Sequence, residues 1–341
     1  MIYGPQAMRL GRCGINRMIY SLKNKRILVT GYEGFLGSNL TLELLNRKAA
    51  VFGLDILTGR KDSLLWRQPR KINVITGSVC DFKLLKSIIA RNRIDAVIHL
   101  AATSLVGEAY KSPIKAFSTN IEGTWNILEA VRLSNKPIKV IVASSDKAYG
   151  IHNKLPYRED SRLSGSHPYD VSKSCADLIA FTYYKTYGLD VCVTRCGNIF
   201  GPGDFNFSRL VPDAVCSAVN NKTLTIRSNG LLTRDYIYVK DVVNGYLLLL
   251  EKMYRTGISG ESFNFSDENP LSVIKLVKII ARLTAIKPKF KIANTAKNEI
   301  PHQFLASAKA RKVLAWKPEY SLEDGLRITI DWYANNFRGR L

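Results

Sequence analysis

No apolar run in this 341-residue sequence approaches the roughly 20 residues needed to cross a bilayer. The greasiest patch of the C-terminal half, Tyr246–Glu251 (YLLLLE), is far too short, so no membrane association is expected. The opening stretch, MIYGPQAMRLGRCGINR, lacks the apolar core of a secretory leader. It is basic and free of acidic residues, which leaves a transit peptide conceivable. Met18, however, opens a stretch (MIYSLKNKRILVTG) that runs straight into a strand, and residues 1–24 are read as a disordered N-terminal extension. Cysteine pairs are missing as well. Cys13, Cys80, Cys175, Cys192, Cys196 and Cys216 form no CxxC, and the scattered His99, His152, His167 and His302 give no metal-ligand spacing. The expectation is no metal and a reducing compartment, the cytoplasm. Acidic residues are scarce: 28 against 50 Lys and Arg, for a net charge of +22. The basic residues are spread along the chain, apart from a looser cluster between Arg60 and Arg93, and no basic block alternates with aromatics. The charge suits an anionic small-molecule substrate or merely a basic surface, and nucleic acid is not the expected ligand.

What is present is a rhythm. Short apolar runs alternate with helix-length segments: Arg26–Thr30, Ala50–Asp55, Asn73–Thr76, Ala96–Ala102, Val140–Ser144 and Val191–Arg195. Each is too short and too uniformly apolar for an amphipathic helix and reads as a strand buried on both faces. The alternation predicts an α/β fold, a Rossmann doubly wound parallel sheet, over residues 25–195. After Arg195 the loops lengthen and gain Gly and Pro. A smaller C-terminal α/β substrate-binding lobe is expected over 196–341, with 236–254 returning to the first domain.

Three local patterns carry chemistry. Thr30–Leu40 (TGYEGFLGSNL) places Gly31, Gly34 and Gly37 between a strand and a helix. Glycines there permit a tight turn and close approach of a pyrophosphate, and the helix N-terminus supplies free N–H groups. Asp55 ends the second strand, where a carboxylate accepts hydrogen bonds from adenosine ribose hydroxyls and repels a 2′-phosphate; NAD is favoured over NADP. Arg60 and Lys61 follow closely and weaken that preference. Tyr169 and Lys173 form YxxxK on one helix face, where an ammonium would lower the phenol's pKa toward use as a base. A second YxxxK, Tyr236 to Lys240, is taken as accidental, because only Tyr169 follows a strand ending in serines.

Together TGYEGFLG, HLAA (His99–Ala102), TNIEGTWNILEA (Thr119–Ala130), SSDKAYG (Ser144–Gly150), YDVSK and RCGNIFGPGD resemble the extended short-chain dehydrogenases/reductases that act on nucleotide sugars. The resemblance runs from about Lys25 to the end. SSDKAYG and Gly201–Asp213 most resemble CDP-glucose 4,6-dehydratases and their relatives. The resemblance implies Ser145 as catalytic hydroxyl beside Tyr169 and Lys173, and Asp146 as acid at the sugar C6. For Lys147 it leaves two roles, base at C5 or orienter of Asp146. It further implies cofactor contacts at Phe35, Leu36, Asp81, Ala101 and Asn120, and grip on a nucleotide diphosphate by Asn198, Arg209 and Arg234. It implies a homodimer pairing segments 113–133 and 167–187. One stretch departs: RDYIYVKDVV (Arg234–Val243) lacks the Trp that CDP-glucose dehydratases typically carry after the substrate arginine. The nucleotide base thus stays open.

Three functions are compatible with these residues. The leading one is an NAD-dependent 4,6-dehydratase of a nucleotide-diphosphate hexose. A 4-epimerase or decarboxylase, in which Asp146 and Lys147 only bind substrate, is the second. A non-catalytic dinucleotide- or RNA-binding relative is the third, although Ser145, Tyr169 and Lys173 are all present.

Overall fold

Alternate residues of each central strand feed opposite sides of one sheet. In a computed structural model of the protein, describing residues 21–66, 71–287, 289–296 and 299–337, six strands follow the expected runs. They are β1 (Arg26–Thr30), β2 (Ala50–Asp55), β3 (Asn73–Thr76), β4 (Ala96–His99), β5 (Lys139–Ala143) and β6 (Val191–Cys196). Ile27, Val29, Ile98 and Ile141 point into one apolar core, and Leu28, Val97, Val140 and Val142 into another. This two-sided burial is what uniformly apolar strands require.

Beyond β6 the strands shorten: β7 (Asn198–Phe200), β8 (Leu224–Ile226), β9 (Thr233–Arg234), β10 (Tyr236–Tyr238), β11 (Ser262–Phe265), β12 (Leu271–Ser272), β13 (Phe290–Ile292) and β14 (His302–Gln303). β11 pairs in parallel with β6, which completes a seven-stranded sheet of order β11-β6-β5-β4-β1-β2-β3. The order reverses direction between β1 and β4, the place where open α/β sheets bind ligands. The remaining strands pair as β10-β7, β12-β9-β14 and β13-β8.

The helices are α1 (Phe35–Asn46), α2 (Phe82–Arg91), α3 (Val106–Lys111), α4 (Pro113–Phe117), α5 (Gly123–Arg132), α6 (Pro168–Tyr187), α7 (Leu210–Val219), α8 (Val239–Arg255), α9 (Val273–Leu283) and α10 (Leu322–Phe337). Leu40 and Leu44 of α1 and Leu247 and Leu250 of α8 cover one face of the sheet. Leu85 of α2, Ile127 and Leu128 of α5 and Ala180 of α6 cover the other. Local chemistry sets several helix ends. Pro168 opens α6, where its missing N–H is no loss, and Gly188 closes it in the left-handed region. A turn of π-helix at Ser118–Glu122 joins α4 to α5.

Three expectations need correction. β3 is not buried on both faces: it is the sheet edge, and Val74 is 53% exposed. β4 stops at His99, and Leu100–Ala102 turns away as a loop whose N–H groups meet Thr30. The expected N-terminal extension is shorter than 1–24, because Leu22 is buried in the core. Residues 1–20, with Cys13 and Met18, lie outside the described residues. Among the described residues no helix is long and apolar enough to cross a membrane, and no cluster of His, Cys, Asp and Glu suits a metal ion.

Candidate active site

At the end of β1 the backbone turns at Gly31, whose φ of +69° an L side chain rarely adopts. A Cβ there would lie 2.9 Å from the Ala101 backbone, and a Cβ on Gly37 would lie 2.1 Å from the Gly31 carbonyl oxygen. Only glycine fits either place. α1 then starts at Phe35 behind Gly34 with no side-chain cap, so its first N–H groups are left for a ligand. Phe35 and Leu36 pack on the core and fix the helix entry. Asp55 ends β2 beside this turn, and its Oδ2 accepts from the Glu33 N–H at 3.3 Å. Burial pushes its pKa up, while hydrogen bonds from the Glu33, Leu57 and Ile56 backbone pull it down. A glycine cradle, an uncapped helix start and a carboxylate at the neighbouring strand end fit an adenine dinucleotide.

The floor of the site is a chain of hydrogen bonds. Thr30 Oγ1 accepts from the Leu100 and Ala101 N–H groups, both at 3.2 Å, and lies 2.8 Å from His99 Nδ1. Burial pushes His99 down to about 3, so its ring is neutral. Asn120, in the π-turn, accepts from Thr103 N at 2.7 Å and donates to Ser172 Oγ at 2.8 Å. Thus Asn120 supports the helical turn that carries Lys173 rather than Lys173 itself. The Lys173 ammonium donates to the Ala143 carbonyl at 2.8 Å, and burial lowers its pKa to about 8.

Above this floor lies the acid–base cluster. Ser145 sits where β5 ends, and its Oγ accepts from Lys147 N at 3.2 Å, capping a short 3₁₀ turn, Asp146–Tyr149. The same hydroxyl donates to Asp146 Oδ1 at 2.9 Å. Asp146 is 6% exposed. Burial raises its pKa, against Lys147, Ser145 and Arg234, which lower it. Tyr169, at the start of α6, lies close enough to Ser145 for that hydroxyl to act on its phenol. Its phenol is pushed up to about 12, chiefly by burial, with Ser145 and Arg209 acting to lower it. The expected lowering by Lys173 is not what governs Tyr169, because that ammonium is turned to the Ala143 carbonyl.

The residues expected to hold a diphosphate are spread around the cluster. Arg209 pairs with Asp204 at 3.2 Å, lies 6.0 Å from the Phe35 ring at the start of α1, and is close enough to act on Tyr169. Arg234 is buried and pairs with Glu299 at 3.0 Å, close enough to act on Asp146. Asn198 is exposed on β7. Asp81 is also exposed, and its side chain caps α2 by accepting from Leu84 N at 3.0 Å.

Three residues escaped the sequence reading. Gln303 Oε1 lies 3.5 Å from the Lys147 ammonium, and its Nε2 is buried without a partner. β14 places Gln303 in register with Arg234 on β9, and Glu299 arrives on the same segment. Neither had a local signal, since both lie far along the chain from what they touch. Glu33 did have one: a charge between two motif glycines.

A dinucleotide cradle whose sheet also presents a Ser, Tyr and Lys at adjoining strand and helix ends is the arrangement of an extended short-chain dehydrogenase/reductase. The chain belongs to the GDP-mannose 4,6-dehydratase family, whose model matches residues 28–329. It is 31% identical to the CDP-glucose 4,6-dehydratase of Salmonella typhimurium over 333 residues, covering 93% of this chain and 92% of that one. It is 30% identical to the UDP-glucuronate 4-epimerase of Thermodesulfobacterium geofontis over 321 residues, 91% of this chain and 96% of that one. The solved dTDP-glucose 4,6-dehydratase of Streptomyces venezuelae, with NAD bound, superposes with a TM-score of 0.83 at 29% identity, covering 91% and 97% of the two chains. The expected family and fold are borne out, and the chain is an enzyme of the nucleotide-sugar dehydratase and epimerase kind.

Proposed function

We propose that the protein is a nucleotide-sugar 4,6-dehydratase, converting an NDP-hexose of the CDP-glucose type to its 4-keto-6-deoxy product. The observation that carries this reading is the state of Asp146. A carboxyl buried to this degree, its pKa raised by that burial against the Ser145 hydrogen bond, is suited to keep a proton and give it to a departing hydroxyl. A 4-epimerase expels nothing from C6 and has no use for such an acid.

The cofactor is NAD, which when bound takes the hydride from C4 and gives it back at C6. The turn at Gly31, Gly34 and Gly37, the α1 start at Phe35 and Leu36, and Asp55 hold it, with Asp81, Ala101, Asn120 and Lys173 around it. Tyr169 removes the C4 hydroxyl proton, with Ser145 sharing its hydrogen bond. Positive charge from Arg209 favours the phenolate. The C4 ketone acidifies the C5 proton, Lys147 either removes it or orients Asp146, and Asp146 protonates the C6 oxygen. Asn198, Arg209 and Arg234 grip the diphosphate, since forked guanidinium donors match its oxygens. The two units are residues 25–195 for NAD, with 236–254 added, and 196–341 mainly for substrate. A homodimer forms through α4 to α6. The free thiols of Cys80, Cys175, Cys192, Cys196 and Cys216 suit the cytoplasm.

The test is incubation with NAD and, separately, CDP-glucose, GDP-mannose, dTDP-glucose and UDP-glucose, with products read by mass spectrometry. Loss of one water from one sugar supports dehydration and names the substrate. The similarity to a 4-epimerase keeps a second reading, and an isomer of unchanged mass would establish that one instead.

A further inference from the structure

Glu33 is 4% exposed, yet its two oxygens are treated unequally. Oε1 accepts from the Gly59 N–H at 2.7 Å and from the Tyr32 hydroxyl at 3.1 Å. Oε2 is buried and has no hydrogen-bond partner. The Glu33 backbone N–H donates to Asp55 Oδ2, so both carboxylates flank the same turn at the ends of β1 and β2. The cations that follow in sequence do not neutralise them by contact. Arg60 is engaged in a two-pronged pair with Asp62, at 3.1 and 2.6 Å, and Lys61 is exposed.

A buried carboxylate oxygen without a donor is costly, and the cost is relieved when a donor arrives. A glutamine at this position could accept from Gly59 and Tyr32 equally well, so the loop tie alone does not call for a charge. Asp55 marks where the adenosine ribose lies, and ribose hydroxyls are donors. A 2′-phosphate is an anion with oxygens that mostly accept, so it offers Oε2 no relief and repels it. On the dinucleotide reading given above, we infer that Glu33 is a cofactor-specificity residue. It accepts from an adenosine ribose hydroxyl through Oε2 and, with Asp55, forms a paired negative wall that excludes NADP. Glu33 thereby offsets the basic Arg60–Lys61 pair, and Asp62 holds Arg60 away from a phosphate.

The experiment is calorimetric titration of the full chain, cleared of nucleotide, with NAD and with NADP, on the wild type, Glu33→Gln and Glu33→Asp. Melting temperatures without cofactor report folding. Glu33→Gln keeps an acceptor for Gly59 and loses the charge. It should lower the ratio of Kd for NADP to Kd for NAD by about tenfold or more, as one lost charge–charge repulsion in a partly buried site allows. Glu33→Asp keeps the charge on a shorter arm and should still reject NADP, even if the loop tie to Gly59 weakens. If Glu33→Gln leaves the ratio within about twofold of wild type, or Glu33→Asp admits NADP, Glu33 is only a loop tie and the inference falls. A wild type that binds neither dinucleotide overturns the dinucleotide reading itself, and the inference with it.

Discussion

Ser145 donates its hydroxyl to the carboxylate of the next residue, Asp146, at 2.9 Å, while accepting the Lys147 N–H. One hydroxyl therefore holds both the turn and the acid that the turn presents. Asp146→Asn keeps the shape and the hydrogen bond but cannot give up a proton as an acid. Loss of water from the substrate should slow by about a hundredfold or more, the usual share of a positioned general acid. NAD and substrate binding, measured by calorimetry, should change little. Undiminished water loss in this variant would remove Asp146 from the chemistry.

The same acid sets a pH limb. Burial raises the Asp146 pKa, so the carboxyl keeps its proton to higher pH than an ordinary aspartate, and activity that needs the proton falls as pH rises through that value. Lys147 and Arg234 oppose the shift, and Lys173 loses its charge above about 8, adding a second alkaline decline. The Asp146→Asn profile separates the two: its residual activity should lack the Asp146 limb and keep the Lys173 one. Identical profiles for wild type and variant would rule out a titrating Asp146.

Much of this site was legible because its parts are local. Ser145, Asp146 and Lys147 are consecutive, Tyr169 and Lys173 lie one helical turn apart, and the glycines sit between a strand and a helix. The strand positions were legible for the same reason, since burial on both faces leaves an unbroken apolar run. What was not legible depends on chain meeting chain at a distance. β3 looks like its neighbours in sequence, but it is the sheet edge, which only the assembled order decides. Gln303 and Glu299 reach Lys147 and Arg234 through the β14–β9 pairing, which has no periodic signature. The direction of the Tyr169 shift was missed because burial, a tertiary property, leads its causes and the Lys173 ammonium is turned to the Ala143 carbonyl.

A buried ion pair should matter more to stability than an exposed one. Arg195 and Asp177 are both buried and joined by two hydrogen bonds, at 2.7 and 2.8 Å, with Tyr149 Oη accepting from the same guanidinium at 2.7 Å. Asp177→Ala leaves an uncompensated buried cation and should cost about 3–5 kcal/mol in urea unfolding. Glu323→Ala, which breaks the exposed pair with Arg282, should cost less than about 1 kcal/mol. Equal effects would show that the buried network is not what holds α6 to β6.

The proposed dimer has a candidate surface. Trp125 on α5 and Phe181 on α6 are 43% and 52% exposed, and Leu178 and Tyr187 are exposed on α6 as well. Apolar side chains left in water on adjacent helices mark an association surface. Phe181→Glu changes a half-exposed side chain and should convert the proposed dimer to monomer in light scattering, with little change in far-UV circular dichroism. A wild type that is already monomeric at micromolar concentration would dismiss the pairing of these helices.

Asp235 gives a stability prediction with a definite sign. Its Oδ2 accepts from Ser266 Oγ at 2.6 Å and from Leu305 N at 2.7 Å, while Oδ1 is buried without a partner. Burial, which leads the causes, pushes its pKa from 3.8 up to about 7. Between these values the folded protein binds this proton more tightly than the unfolded chain does. Stability should therefore fall as pH rises across that interval and level off above it. Roughly three units at about 1.4 kcal/mol each set an upper bound of about 4 kcal/mol on the loss. Asp235→Asn keeps an acceptor for Ser266 and Leu305 but carries no charge at any pH. Its neutral amide, though unpartnered on one side, costs less than a lone charged oxygen. Urea unfolding of both proteins from about pH 4 to 8 isolates the contribution, because Asp241, raised to about 6, titrates in each and cancels in the difference. The variant should be less stable than or equal to wild type at the acid end and more stable at neutrality. Parallel curves would mean that Asp235 shares its charge with a donor, and the buried-carboxyl account of this corner would be wrong.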